Sequence, residues 1–191
     1  MGDVLGVILA GGRGTRLGRA KPVAPLGGRA LLEHPLAALR AAELETVVVA
    51  KADTPLPPVA APVWSEPDEP VHPLLGIVTA LERADGRAIL ACACDLPFVT
   101  PELVGWLAEM DEPLVLPESG GRLHPLFGRY AGSLAAPLRE ALARRAPLQE
   151  TVAALGARIV GEDELRPFGD PGRLLFNVNT PADLARAEEM L

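Results

Sequence analysis

The sequence predicts a three-layer α/β/α fold around a mostly parallel central sheet, and three observations carry that prediction. Short, nearly all-apolar runs recur at Val4 to Leu9, Thr46 to Ala50 and Arg87 to Cys94. Runs of that length, apolar on both faces, are the pattern of strands covered by helices on two sides. Helical spacing falls between them, with Leu31, Leu32, Leu36 and Leu39 before the second run and Leu74 to Arg83 before the third. The 191 residues suffice for one domain, spanning 1–191, with a sizeable buried core.

The first run opens into a loop in which Gly11, Gly12, Gly14 and Gly18 alternate with Arg13, Arg16, Arg19 and Lys21. Successive glycines free backbone N–H groups to point at one anion, and four cations within nine residues supply charge. Such a loop directly after the first strand of an open α/β sheet predicts a phosphate chain. Of 18 basic residues only Lys21 and Lys51 are lysine. A compact ammonium placed just beyond a glycine loop, in a chain that otherwise uses guanidinium, points to a point-charge contact with phosphate. Two better-known glycine motifs fail. Lys21 stands between Ala20 and Pro22, so there is no Gly-Lys-Ser/Thr, and Gly12-x-Gly14 leads to Leu17 where a dinucleotide fold has its third glycine. The second strand also lacks the acidic end that holds a ribose, which disfavours hydride transfer.

Pro22 to Leu26 with Gly27 and Gly28 reads as a turn, followed by a helix to about Ala42 with Pro35 in its first turn. Thr54 to Pro73 holds seven prolines and reads as ordered loop with one strand candidate, Ala61 to Trp64. Its acidic cluster, Glu66, Asp68 and Glu69, reads first as a solvated face. The third apolar strand stops at Asp95, and Leu96-Pro97 turns the chain there. The carboxylate therefore lies at the carboxyl edge of the sheet, where ligands of such folds sit. Beside a phosphate loop it suits Mg2+, which takes one or two carboxylates and completes its shell with phosphate oxygens and water. The plain alternative is an aspartate capping the next turn.

Thr100 caps a helix with Pro101 at its first position. Pro113 to Pro117 reads as a strand, and Gly120-Gly121 as a hairpin turn leading into His124 to Tyr130. Helices follow at about Ser133 to Arg145 and Leu148 to Leu155, then strands at Ala157 to Val160 and Leu174 to Val178, and a last helix from Pro181 to Met190 capped by Thr180.

A net charge of −7 disfavours nucleic-acid and membrane-surface partners, while the concentrated loop cations leave room for an anionic substrate. No apolar stretch approaches the roughly 20 residues of a membrane span. The N-terminus has no basic region before its apolar run, so a cytoplasmic location is expected. Cys92 and Cys94, two apart in a strand, face one side and cannot pair with each other. His34 and His72 read as structural, and a lone His124 as a polar group rather than a base.

LAGGRGTRLG followed by Lys21-Pro22 resembles the signature of nucleotidyltransferases that join a nucleoside triphosphate to a phosphorylated acceptor. Cys94-Asp95-Leu96-Pro97, preceded by His72-Pro73-Leu74-Leu75-Gly76 and followed by His124-Pro125-Leu126-Phe127 and Asn177-Val178-Asn179-Thr180-Pro181, is similar in order and spacing to the molybdenum cofactor guanylyltransferases. The resemblance covers nearly the whole chain and implies a Rossmann-like nucleotidyltransferase fold. It implies transfer of GMP from GTP to the terminal phosphate of molybdopterin, with Mg2+ as cofactor and other proteins of molybdenum cofactor biosynthesis as partners. Under it, Leu9, Ala10, Gly11, Gly12, Arg13, Gly14, Lys21, Glu66 and Asp95 bind the nucleotide. Lys21, Arg16 and Asp95 carry catalysis, and Asp95 also holds the metal. Asn177, Asn179 and His124 face the acceptor. The chain departs from the family pattern with Leu17 for methionine, Ala20 for aspartate and Ala50 for asparagine, and it matches the acidic position only loosely with Glu66. The same residues also suit a cytidylyltransferase acting on the same pterin, a cobinamide-phosphate guanylyltransferase, or a non-catalytic nucleotide-binding delivery protein.

Overall fold

The computed structural model describes residues 4–12 and 17–191. In chain order the strands are β1 (Val4–Leu9), β2 (Pro25–Leu26), β3 (Arg29–Ala30), β4 (Thr46–Ala50), β5 (Val63–Ser65), β6 (Ala88–Ala93), β7 (Leu114–Ser119), β8 (Arg122–Leu123), β9 (Phe127–Tyr130) and β10 (Arg158–Val160). The helices are α1 (Glu33–Ala41), α2 (Leu74–Arg83), α3 (Pro101–Ala108), α4 (Ala135–Ala143), α5 (Leu148–Ala154), α6 (Glu162–Leu165), α7 (Pro171–Leu174) and α8 (Pro181–Glu189). The central sheet has the order β10-β7-β9-β6-β1-β4-β5, with β8 as a hairpin arm on β7.

The three apolar runs occupy the middle of this sheet. β1 pairs in parallel with both β4 and β6, and β5 continues the parallel half. Each middle strand sends alternate side chains to opposite layers. Ile8, Val48, Leu90 and Cys92 pack with α1 and α3 on one face. Leu5, Val7, Val47, Val49, Ile89 and Ala91 pack with α2, α4 and α5 on the other. This double burial explains why these strands are apolar throughout, and the sheet with its two helical layers is the predicted sandwich. A third, smaller cluster joins Leu17, Leu26 and Leu31 to Phe98, Val178 and Ala187 beneath α8.

The departure from parallel order is β9, which runs antiparallel to both β6 and β7. The reversal brings the start of β9 to the edge where β6 ends, so His124–Leu126 and Asp95 meet there. Tyr130, fully buried, donates its hydroxyl to the Pro125 carbonyl at 2.5 Å and fixes that turn.

The expected strand from Leu174 to Val178 does not form. Asp170 accepts the Arg173 amide at 2.8 Å and Pro171 takes the first helical position, so α7 begins instead. The chain then runs along the sheet edge without a ladder, held by the Val178 amide donating to the Asp95 carbonyl at 2.9 Å. The Pro-rich loop contains β5 at Val63–Ser65, two residues later than the expected start. Among the described residues, no helix is long and apolar enough to cross a membrane.

Candidate active site

The carboxyl ends of β1, β4, β5 and β6 surround a cavity of about 520 Å³. At the end of β1 the backbone changes role within three residues. Ala10 is buried and spends its N–H on the Val49 carbonyl at 2.8 Å, completing the ladder. Leu9, Gly11 and Gly12 line the cavity. Among the described residues no hydrogen bond occupies the Gly11 or Gly12 amide. The predicted Arg13, Gly14 and Arg16 lie outside the described residues.

Lys21 enters from the short 3-10 turn Lys21–Val23. Its Nζ donates to Asp95 Oδ2 at 2.6 Å and to Asn179 Oδ1 at 2.6 Å. Asn177 Nδ2 stands 3.4 Å from the other oxygen, Asp95 Oδ1. One lysine thus ties residues 74 and 158 positions away in sequence. The Asn179 end is fixed in turn by Asp183, whose Oδ2 accepts the amides of Asn179 and Thr180 at 3.0 and 2.8 Å. Burial raises the Asp183 carboxyl, but these two amides and the Thr180 hydroxyl hold it below its ordinary value.

The opposite wall is built by Lys51 and Glu66, with side chains 8% and 7% exposed. Lys51 Nζ donates to the carbonyls of Pro67 and Asp68 at 2.7 and 3.0 Å and lies 3.6 Å from Glu66 Oε1. Burial pushes the Glu66 carboxyl above its ordinary value, and Lys51 draws it back part of the way. The carboxylate lies over the β1 loop so closely that a Cβ on Gly11 would sit 1.8 Å from Oε1. Gly11 is therefore glycine because Glu66 occupies the space a side chain would need. The first turn of α2 closes the cavity through Leu75 and Gly76, adding the positive end of a helix dipole. His72 Nδ1 accepts the Leu74 amide at 3.2 Å, a capping role in line with its structural reading.

A second cavity of about 170 Å³ adjoins the first across Pro73 and Leu126. It is lined by Arg122, His124, Gln149 and Asn177 among others. Burial, with the Arg122 guanidinium, pushes His124 down to about 4 although Asp95 pulls the other way, so its imidazole is neutral at pH 7. Cys94 lines the main cavity beside Asp95, but burial raises its thiol far from reactivity.

The structure thus brings Leu9, Gly11, Gly12, Lys21, Glu66 and Asp95 to one cavity, and Asn177 and His124 to its neighbour. Asn179 joins them through Lys21 rather than by lining either space. Ala10 supports the loop from within the core. Sequence reasoning missed Lys51 and Asp183. A signal for Lys51 was present, because the chain's only two lysines both line this cavity.

The chain has counterparts among known proteins. The family described as MobA-like NTP transferase domain matches residues 6–159. The molybdenum cofactor guanylyltransferase of Rhizobium leguminosarum bv. trifolii is 35% identical over 99% of this chain and 93% of its own length. The probable molybdenum cofactor guanylyltransferase of Pelotomaculum thermopropionicum is 31% identical over 97% of this chain and 92% of its own. Among solved structures, molybdopterin-guanine dinucleotide biosynthesis protein A from Archaeoglobus fulgidus superimposes with a TM-score of 0.82 at 27% identity, covering 97% of both chains. With its parallel core, its glycine-ended first strand and a match of this extent, the chain belongs to the MobA-like NTP transferase family.

Proposed function

We propose that the protein is a molybdenum cofactor guanylyltransferase acting in the cytoplasm. It transfers GMP from GTP to the terminal phosphate of molybdopterin. The observation that carries this reading is Lys21, which joins Asp95 on the nucleotide side to Asn179 on the far strap at 2.6 Å each, in a chain whose full-length relatives bear that name. The acceptor phosphate oxygen attacks the α-phosphorus of GTP. The bond from that phosphorus to the bridging oxygen breaks, and pyrophosphate leaves with its electron pair.

The nucleophile is already ionised, so the protein's task is positioning and charge neutralisation. The amides of Gly11 and Gly12 face the phosphates, and Lys21 meets them as a point charge. Arg13, Gly14 and Arg16 extend that cradle in this reading. Glu66 lies on the base side. Asn177, Asn179 and the neutral His124 offer hydrogen bonds to the acceptor. Asp95 fits a Mg2+ ion of the kind that leans on its substrate: it is a single carboxylate, and among the described residues no cluster of three acidic, His or Cys side chains forms a protein-only cage. When bound, the ion neutralises charge on the triphosphate. Other proteins of molybdenum cofactor biosynthesis are the partners this activity would need to supply pterin and receive product.

Pyrophosphate release with Mg2+ and GTP, CTP or ATP, with and without molybdopterin, tests the reading. Release is expected only with GTP plus molybdopterin. Asp95→Ala should lower kcat by about 10²–10³, as for loss of a preorganised charge contact, whereas Glu66→Ala should act mainly on KM. Release with another triphosphate or acceptor, or equal kcat losses in the two variants, would overturn the assignment.

A further inference from the structure

The two lysines of this chain line the same cavity but do different work. Lys21 bridges two side chains at the catalytic edge. Lys51, at the end of β4, faces three acceptors: the carbonyls of Pro67 and Asp68, and Glu66 Oε1. Two of its ammonium donors go to those carbonyls, and the charge faces the Glu66 carboxylate across 3.6 Å as an ion pair. The Glu66 carboxylate is buried at the cavity wall, carries about four lone-pair sites, and has Lys51 as its cationic partner among the described residues. Gly11 and Gly76 crowd it from β1 and α2 without offering a side chain.

Resting on the guanylyl-transfer reading, the geometry points to Lys51 as a positioning residue. It clamps Glu66 over Gly11 so that the carboxylate accepts two neighbouring N–H donors of the base, and in this way it sets the preference for guanine. Guanine presents such a pair, N1–H and the 2-amino group, on one edge. Adenine and cytosine place a ring-nitrogen lone pair there, which the carboxylate repels. A buried acceptor left facing a missing donor rejects the analogue strongly. The charged groups facing Glu66 are Lys51, just past β4, and Asp68 from its own loop. Burial and Asp68 raise the carboxyl, and Lys51 alone opposes them. Without Lys51 the carboxylate loses the one charge that opposes burial and Asp68, and with it the contact that holds it over Gly11.

The test measures Mg2+-GTP and Mg2+-ITP, inosine lacking the 2-amino group, by titration calorimetry without acceptor and by turnover with molybdopterin. The wild type should prefer GTP by about tenfold or more. Lys51→Met should bring that ratio toward one and raise KM for GTP about tenfold at pH 7, with kcat within about threefold. Glu66→Gln should lose the preference even with Lys51 in place, because the amide offers one acceptor where the carboxylate offers two. The double variant Lys51→Met/Glu66→Gln leaves no stranded charge and supplies a folded control, again with a ratio near one.

An unchanged GTP/ITP ratio in Lys51→Met or in the double variant overturns the inference, as does a fall in kcat with KM constant. Failure of the two readings is separable. A wild type that selects GTP over ITP but never transfers to molybdopterin sinks guanylyl transfer alone. Normal transfer by Lys51→Met with selection intact sinks only the role of Lys51.

Discussion

Gly11→Ala is the sharpest perturbation the site offers, because the added methyl has a known collision. Gly11 does not have a positive φ, so alanine meets no backbone strain. Its Cβ would lie 1.8 Å from Glu66 Oε1 and 2.4 Å from the carboxyl carbon, where ordinary contact begins at 3.4 Å. The carboxylate must retreat by about 1.6 Å, the difference between those two distances. Gly76 lies on the other side of the carboxylate, where an added Cβ would be 3.1 Å from Oε2. A shift of that size disturbs the 3.6 Å pair with Lys51 at the wall of the nucleotide cavity. Overpacking of this kind costs about 1–3 kcal/mol, which for a chain of this size lowers Tm by about 2–12 °C. KM for GTP should rise with it. Thermal melts and GTP titrations of Gly11→Ala, Glu66→Ala and the double variant form a cycle, and the coupling should reach about 1 kcal/mol or more. If alanine at 11 costs as much in the Glu66→Ala background as in the wild type, the reasoning about who occupies that space is wrong.

Two further outcomes follow from titrating groups. His124 is held below its ordinary value when folded and His34 is lowered as well, so the unfolded chain binds more protons as the pH falls below 6.5. Stability should therefore drop between pH 6.5 and about 4, and His124→Gln should flatten part of that slope in melts across the range; a slope unchanged by the substitution would contradict it. Asp183 is lowered in the folded state, so its contribution is present above the ordinary aspartate range and is lost as the pH falls through it. Asp183→Ala should cost about 1 kcal/mol through the lost cap. Because Asp183 also fixes the Asn179 backbone, the variant should raise KM for the acceptor more than for GTP, and equal effects on both would remove that link.

The parts of the fold that were legible in the sequence are those whose burial is uniform along the chain. β1, β4 and β6 are apolar at nearly every position because two layers cover them, and Asp95 is conspicuous because it ends such a run. The segment Leu174-Leu175-Phe176-Asn177-Val178 has the same local apolarity, yet Asp170 and Pro171 start a helix one turn earlier and the rest lies along an edge. Composition does not separate those outcomes, because the deciding contact, Val178 to Asp95, is long-range. The four-residue helices α6 and α7 went unread for the opposite reason: neither is long enough to show a period. In the site, Gly11, Lys21 and Asp95 announce themselves by residue type. Lys51 does not, because its role depends on a loop some 16 positions away folding back onto it. Glu66 read as solvated by its acidic neighbours and proved to be the buried member of that cluster.

The strap that carries Asn177 and Asn179 has one more consequence, set by the direction of protein synthesis. Every strand of the central sheet is complete by Val160, so the nucleotide wall exists in a nascent chain before the strap leaves the ribosome. Until Asn179 arrives, Lys21 has Asp95 but lacks its second anchor. The catalytic edge therefore waits on a segment made after every strand of the sheet.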